Sequence, residues 1–257
     1  MLIDVHSHLD HPLIFKRVEE LIKNAEKAGV KHIITNGIEP NTNRICLELS
    51  KKYKIVECAM GIYPRSSLKK EAQEGYSNVS VDFEVDKEIK FIEKNKEDII
   101  AVSEVGLDFV EGENKQQIED FLKMIELAEK LKKPIVVHSR KAEEKCVEIL
   151  ESSSLKKIVM HCFCGKKSLV KRIRDNGWFF SIPASIVRAQ QFQIIVGETP
   201  LSQLFCETDS PFLGPYKDKL NEPAFVAESY KKIAEIKKMD FTEVANNIYM
   251  NWQRVFM

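Results

Sequence analysis

The fold is decided by the segment Leu2-Ile3-Asp4-Val5-His6-Ser7-His8, a short apolar run that ends in two histidines. Alternate residues of a strand project to the same side, so His6 and His8 can reach one cation. Further β-rich runs follow, and longer amphipathic stretches separate them, which predicts repeated βα units around a parallel sheet. The eight predicted strands are Leu2–His6, His32–Asn36, Ile55–Gly61, Ile99–Glu104, Pro134–His138, Ile158–His161, Trp178–Ser181 and Leu204–Glu207.

Eight strands with alternating helices predict an α/β fold of the TIM-type (β/α)8 barrel, which typically takes about 250 residues. The 257 residues contain no Pro/Gly/Ser-rich linker, so we expect one domain over residues 1–257. Apolar spacing predicts a helix at Lys115–Leu131 and two more within Glu222–Phe256. The stretch Arg65–Asp86 is the least regular, and we expect a long βα loop there.

Composition excludes several classes of protein. With 44% hydrophobic and 30% charged residues, the chain has the balance of a globular protein. Lys+Arg and Asp+Glu both number 39, so no global basic field exists to hold long nucleic acid, and any such contact must be local. The sequence lacks a signal-peptide pattern and an apolar run of about 18 residues. We therefore expect a cytoplasmic protein with no membrane partner and no obligate protein partner.

The six cysteines are scattered, which suits reduced thiols better than a disulfide framework. Only Cys162-Phe163-Cys164 places two of them close together. This one-residue spacing is unusual for a structural zinc site, and no second pair follows. We expect a core or loop role for these cysteines.

Four more potential metal ligands stand at or just beyond the carboxyl ends of separate predicted strands: Glu104, His138, His161 and Asp209. In a barrel these ends converge on one mouth. Each residue singly could be a hydrogen-bonded rim residue, but carboxylates are costly there if they are unpaired. Together with His6 and His8 they predict a shared site.

Four imidazoles and two carboxylates suit divalent ions such as zinc, manganese, magnesium, nickel or iron. Two ions can bind when one carboxylate bridges them, and Glu104 is the best candidate because its strand lies near the middle of the order. Two such ions would activate a shared water and stabilise the oxyanions of a displacement.

At this point the sequence resembles the TatD family of metal-dependent deoxyribonucleases, within the amidohydrolase superfamily. The resemblance spans nearly the whole chain. Beyond residues 4–10, the motifs that carry it are Glu104-Val105-Gly106-Leu107-Asp108-Phe109, His138-Ser139-Arg140, His161-Cys162-Phe163-Cys164-Gly165, Glu207-Thr208-Asp209-Ser210-Pro211-Phe212-Leu213, Asn221-Glu222-Pro223 and Asn251-Trp252-Gln253-Arg254-Val255-Phe256.

The resemblance implies an amidohydrolase-like barrel and a set of ligands for each of two ions. One ion is held by His6, His8, Glu104 and Asp209, and the other by Glu104, His138 and His161. It also implies that the catalytic residues are Glu104 and Asp209, with Asp209 assisting deprotonation of the attacking water.

The sequence departs from the family at Tyr63, where relatives usually have a histidine that is thought to contact substrate phosphate. Tyr63 can still donate a hydrogen bond. Arg140 could clamp a phosphate, or simply begin a helix at the surface. Asp108 could orient a ligand or cap a helix. Lys219 belongs to the last βα loop, so the predicted substrate-binding residues are Tyr63, Arg140 and Lys219.

The leading hypothesis is a phosphodiesterase, an exodeoxyribonuclease that trims DNA ends. A second enzyme hypothesis keeps the metals and changes the scissile bond to an ester or amide, as in an aminoacyl-tRNA deacylase, because one scaffold supports many reactions. A third class is a metal-binding scaffold without catalysis. The complete ligand set argues against it, and only Tyr63 favours it.

Overall fold

A computed structural model describes residues 1–74 and 79–257. Within them, eight parallel strands pair in sequence order, which confirms the predicted number and arrangement. Apolar runs in the sequence mark where the strands lie, because the strands are largely buried on both faces of the sheet. The strands are β1 (Leu2–Ser7), β2 (Val30–Gly37), β3 (Val56–Met60), β4 (Ile99–Gly106), β5 (Ile135–His138), β6 (Ile158–His161), β7 (Phe179–Pro183) and β8 (Leu204–Glu207).

The last strand returns to the first and nearly closes the barrel. The amide of Asp209 donates to the carbonyl oxygen of His6 at 2.8 Å, and the amide of His8 donates to that of Ser210 at 2.9 Å. Below them, the buried carboxylate of Asp4 accepts the amide of Thr208 at 2.8 Å and its hydroxyl at 2.5 Å. Hydrogen bonds therefore hold β1 against the segment that follows β8.

Helices alternate with the strands and cover the barrel, as the βα pattern predicts. The long helix at Lys115–Leu131 and the two C-terminal helices are confirmed. The described helices are α1 (Pro12–Phe15), α2 (Val18–Lys27), α3 (Pro40–Lys52), α4 (Arg65–Glu74), α5 (Val85–Lys94), α6 (Lys115–Leu131), α7 (Glu143–Glu151), α8 (Lys167–Asp175), α9 (Gln190–Glu198), α10 (Val226–Lys237) and α11 (Phe241–Phe256).

The expectation of a loop over Arg65–Asp86 is wrong for its first part, where α4 forms, while residues 75–78 lie outside the described residues. Tertiary contacts explain the difference. Leu68 is fully buried in a small cluster with Ile38 and Tyr63. The guanidinium of Arg65 lies 2.8 Å from the carboxylate of Asp120 on α6. Ile38 and Asp120 are distant in sequence from α4, so local pattern alone underestimates the helix.

Gly106 at the end of β4 lies directly beside His138 in the strand register. Its φ of +142° is a conformation that side chains rarely adopt, and an added Cβ would collide with the carbonyl oxygen of His138. Gly106 therefore allows β4 and β5 to approach closely where both enter the barrel mouth.

We expect Gly106→Ala to lower the free energy of unfolding by at least about 1–3 kcal/mol, the usual range for backbone strain. Gly197→Ala in α9 is the control, because nothing lies within 4 Å of its added Cβ. That change should be neutral or stabilise by about 0.5–1 kcal/mol. Urea unfolding of both variants measures the difference, and equal stabilities would contradict the close approach.

Candidate metal centre

The structure brings all six predicted ligands together at the barrel mouth. The Nε2 atoms of His6 and His8 face each other at 3.2 Å. His161 lies beside them, and its ring stacks on His6 with centroids 3.8 Å apart and planes 18° from parallel. Two ring nitrogens facing each other so closely, beside carboxylate oxygens, form a donor set that suits a cation.

Glu104 lies between the two groups of histidines. Its Oε2 is 3.3 Å from the Nε2 atoms of both His6 and His8. Its Oε1 is 2.9 Å from Nδ1 of His138 and 3.8 Å from Nε2 of His161. Each oxygen thus faces a different pair of imidazoles, as a bridging carboxylate requires.

Asp209 completes the first group from the segment after β8. Its Oδ1 is 3.4 Å from Nε2 of His8 and 3.8 Å from Nε2 of His6. The residue has a left-handed φ of 55°, and its amide is bonded to His6. Donor atoms of His6, His8 and Asp209 lie within 4.8 Å of one another, and those of Glu104, His138 and His161 form a second such group.

Hydrogen bonds behind the rings set which nitrogen faces the centre. Nδ1 of His8 donates to the carbonyl oxygen of Asn36 at 3.0 Å. Nδ1 of His161 donates to Glu207 at 2.9 Å. These bonds leave both Nε2 atoms directed inward, an orienting arrangement common among metal-binding histidines.

His138 is turned the other way, with Nδ1 inward. Its Nε2 lies 3.4 Å from Oδ2 of Asp108 and 3.3 Å from the hydroxyl oxygen of Tyr63. Asp108 therefore orients a histidine, whereas Asn114 caps α6 through its side chain. Tyr63 contacts the same nitrogen, so the residue that departs from the family pattern supports a predicted ligand.

Glu207 forms a third grouping with His6 and His161, and sequence reasoning missed it. It is fully buried and accepts hydrogen bonds from Nδ1 of His161, the amide of Cys162 at 3.1 Å and the hydroxyl of Ser181. Its oxygens are thus engaged in holding His161. A signal existed, because Glu207 and Asp209 repeat the two-residue spacing of His6 and His8.

In the protein without bound cations, protonated imidazoles supply the positive charge of the site. Burial opposes charge throughout, yet hydrogen bonds from His138, His6 and His8 lower the pKa of Glu104 well below its usual range. Burial likewise opposes ionisation of Asp209, but the charge of His161 and the bond from His8 lower its pKa. Both carboxylates are ionised at neutral pH and attract positive charge.

The pKa values of the imidazoles are shifted in different directions. Despite burial, Asp108 and Glu104 raise the pKa of His138 to about 9. Despite burial, Glu207 and Asp209 raise the pKa of His161 to about 10. Burial lowers the pKa of His6, and the neighbouring charge of His161 adds to that effect. Despite burial, hydrogen bonds to Asp209 and Glu104 raise the pKa of His8 well above its usual value. At pH 7, His8, His138 and His161 therefore carry protons that a cation would displace.

A cavity of about 400 Å³ opens above these groups. Tyr63 and Arg140 line it, as does Phe212, whose exposed ring was not predicted to take part. Arg140 precedes α7 and is exposed, which suits contact with a ligand. Lys219 is not among the lining residues; its ammonium lies 5.5 Å from the ring centroid of Tyr216.

Known proteins are similar to this chain in sequence and in fold. A family model described as TatD related DNase matches residues 3–257. A human protein named deoxyribonuclease TATDN3 is 32% identical over 263 residues, covering 99% of this chain and 94% of its own. An uncharacterized metal-dependent hydrolase of Methanocaldococcus jannaschii is 34% identical over 255 residues, covering 99% and 96%. The crystal structure of a TatD homologue from Escherichia coli has a TM-score of 0.86 at 24% identity, covering 99% and 97%, which shows the same barrel fold.

We expect zinc binding at pH 7 to release about three protons per chain, because His8, His138 and His161 have raised pKa values and must lose their protons to bind a cation. The raised pKa values mean that affinity increases with pH until it approaches 9 to 10. Calorimetry in buffers of different ionisation enthalpy counts the protons. His138→Gln should release about one fewer, and no release from the unsubstituted protein would contradict the protonated site.

Proposed function

The chain belongs to the TatD-related DNase family and is a metal-dependent hydrolase of that type, and we propose that it uses two divalent cations to cleave phosphodiester bonds at DNA ends. The observation that carries this proposal is the placement of Glu104, whose two oxygens face two different pairs of imidazoles. A carboxylate with only one oxygen facing imidazoles would contribute to one ion site only.

In the proposed ligand set, His6, His8, Glu104 and Asp209 hold one ion. Glu104, His138 and His161 hold the other. When bound, the ions would supply the activation of water and the stabilisation of developing oxyanions. Asn36, Glu207 and Asp108 position the imidazoles behind this set.

We assign the proton-accepting role to Asp209. Its side chain is 14% exposed, compared with 5% for Glu104, so it borders the cavity where water enters. Its lowered pKa keeps it ionised at neutral pH and able to accept a proton. Glu104 is surrounded by imidazoles, which suits a ligand better than a base that must exchange protons with solvent.

The cavity favours a strand terminus as substrate. About 400 Å³ is within the range for small-molecule sites, and a continuous duplex has no free end to enter it. Arg140 can pair with a phosphate, and the exposed ring of Phe212 offers a surface on which a base can stack. Lys219 lies outside the cavity lining and has no part in this proposal.

One observation favours a second candidate, the hydrolysis of an ester or amide such as an aminoacyl ester on transfer RNA. Tyr63 is neutral and contacts Nε2 of His138. The cavity therefore lacks a cationic side chain at the position where the family usually has histidine. A less anionic substrate would suit that wall.

We expect Asp209→Asn to lower kcat by about 10²–10⁴-fold, the usual contribution of general base assistance, with a smaller change in KM. The amide keeps the volume and one oxygen but cannot accept a proton. Metal content must be measured alongside, because Asp209 is also a proposed ligand. Asp218→Asn, in an exposed loop, is the matched control. Unchanged kcat at full metal content would remove Asp209 from the mechanism.

We expect linear single-stranded DNA to be degraded from its ends, while end-blocked DNA and supercoiled plasmid remain largely intact. With about two or three phosphate contacts, the salt dependence should be shallow. A labelled aminoacyl-tRNA panel assayed in parallel tests the second candidate. Rapid plasmid nicking would rule out end trimming, and turnover of the aminoacyl ester alone would favour deacylation.

A further inference from the structure

Two cysteines share the cavity wall with the proposed metal ligands. Cys162 and Cys164 both line the cavity, next to His161 and Asp209. Cys164 is exposed and Cys162 is partly buried, whereas the other four cysteines are buried. A reagent that enters the cavity therefore meets this pair of thiols before any other.

The loop presents the two thiols on the same side. Phe163 between them is 1% exposed and packs against Phe180 with ring centroids 5.6 Å apart. Because Phe163 anchors the loop inward, its neighbours are directed toward the cavity. The thiol of Cys164 donates to the carbonyl oxygen of Cys162 at 3.3 Å, which holds the two residues close together. The neighbouring Cys162 side chain lowers the pKa of Cys164 to about 7.

We propose that Cys162 and Cys164 form a redox modification site at which a peroxide oxidises the two thiols to an intramolecular disulfide. The Cys164 thiolate attacks one peroxide oxygen, the O–O bond breaks, and a sulfenic acid and hydroxide form; a proton converts the hydroxide to water. The Cys162 sulfur then attacks the sulfenic sulfur, its proton leaves with the displaced hydroxyl as a second water, and the S–S bond forms. The two thiols lose two electrons and the peroxide gains them.

The disulfide would act on the proposed metal centre through Glu207. The amide of Cys162 donates to one oxygen of Glu207, and the other oxygen holds Nδ1 of His161. Forming a bond of about 2.05 Å between the sulfurs pulls on the backbone of Cys162. We expect His161 to turn with it. This step rests on the proposed function, whereas formation of the disulfide does not.

The chemical test uses full-length protein freed of metal with a chelator, so that bound ions cannot generate radicals from the peroxide. After hydrogen peroxide treatment, we expect the intact mass to fall by two hydrogens and the denatured thiol count to fall by two. Peptide mapping should link Cys162 to Cys164. Cys164→Ser should abolish the link, while Cys58→Ala, at a buried site, should retain it. Sulfinic acid without a link, intermolecular dimers, or thiol loss in Cys164→Ser would each overturn the proposal.

The activity test reloads the oxidised protein with metal and compares it with its own untreated sample. A positional error of about 1 Å costs about a hundredfold in rate, so we expect a loss of that order that dithiothreitol reverses. Cys164→Ser should keep its own untreated rate after peroxide. A linked protein with unchanged turnover would overturn the coupling through Glu207, and a protein inactive before oxidation would count against the proposed function alone.

Discussion

The contact between the first strand and the segment after the last one is the constraint on which the site depends. His6 and His8 come from one side of this seam and Asp209 from the other, and the bond from the Asp209 amide to His6 joins them directly. Asp4 secures the seam from below. Burial raises the pKa of Asp4, and the bonds from Thr208 and the His6 amide partly offset that effect. A buried acidic side chain is tolerated in this position because its oxygens accept these hydrogen bonds.

Charge compensation is the second requirement. Removing four imidazoles and two carboxylates from water is costly unless opposite charges lie close together. In this barrel mouth, Glu104 and Asp209 supply negative charge, and protons on His8, His138 and His161 compensate it. Divalent cations would replace those protons, so the same geometry serves the metal-free and the loaded protein. Protons and metals compete for identical atoms.

Much of this arrangement could be predicted from the sequence. Strands buried on both faces appear as apolar runs, and their carboxyl ends mark where side chains meet, so the convergence of all six proposed ligands could be predicted. The role of Glu207 was missed because its partners, His161, Ser181 and Cys162, come from other parts of the barrel. Whether Lys219 lines the cavity could not be predicted, because loop sequence does not fix the direction of a long side chain. Helix α4 was missed because Leu68 and Arg65 find partners far along the chain.

The stacking of His6 on His161 links ligands of the two proposed ion positions through a rigid contact. Tilting either ring would disrupt this stacking contact, and the bond to Glu207 fixes the orientation of His161. Much of the conformational entropy of these rings is therefore lost during folding, before any cation or substrate arrives. Such preorganisation leaves little reorientation for the encounter itself. Binding selectivity in this barrel thus depends on whether the size and charge of a cation or substrate match side chains that are already in position.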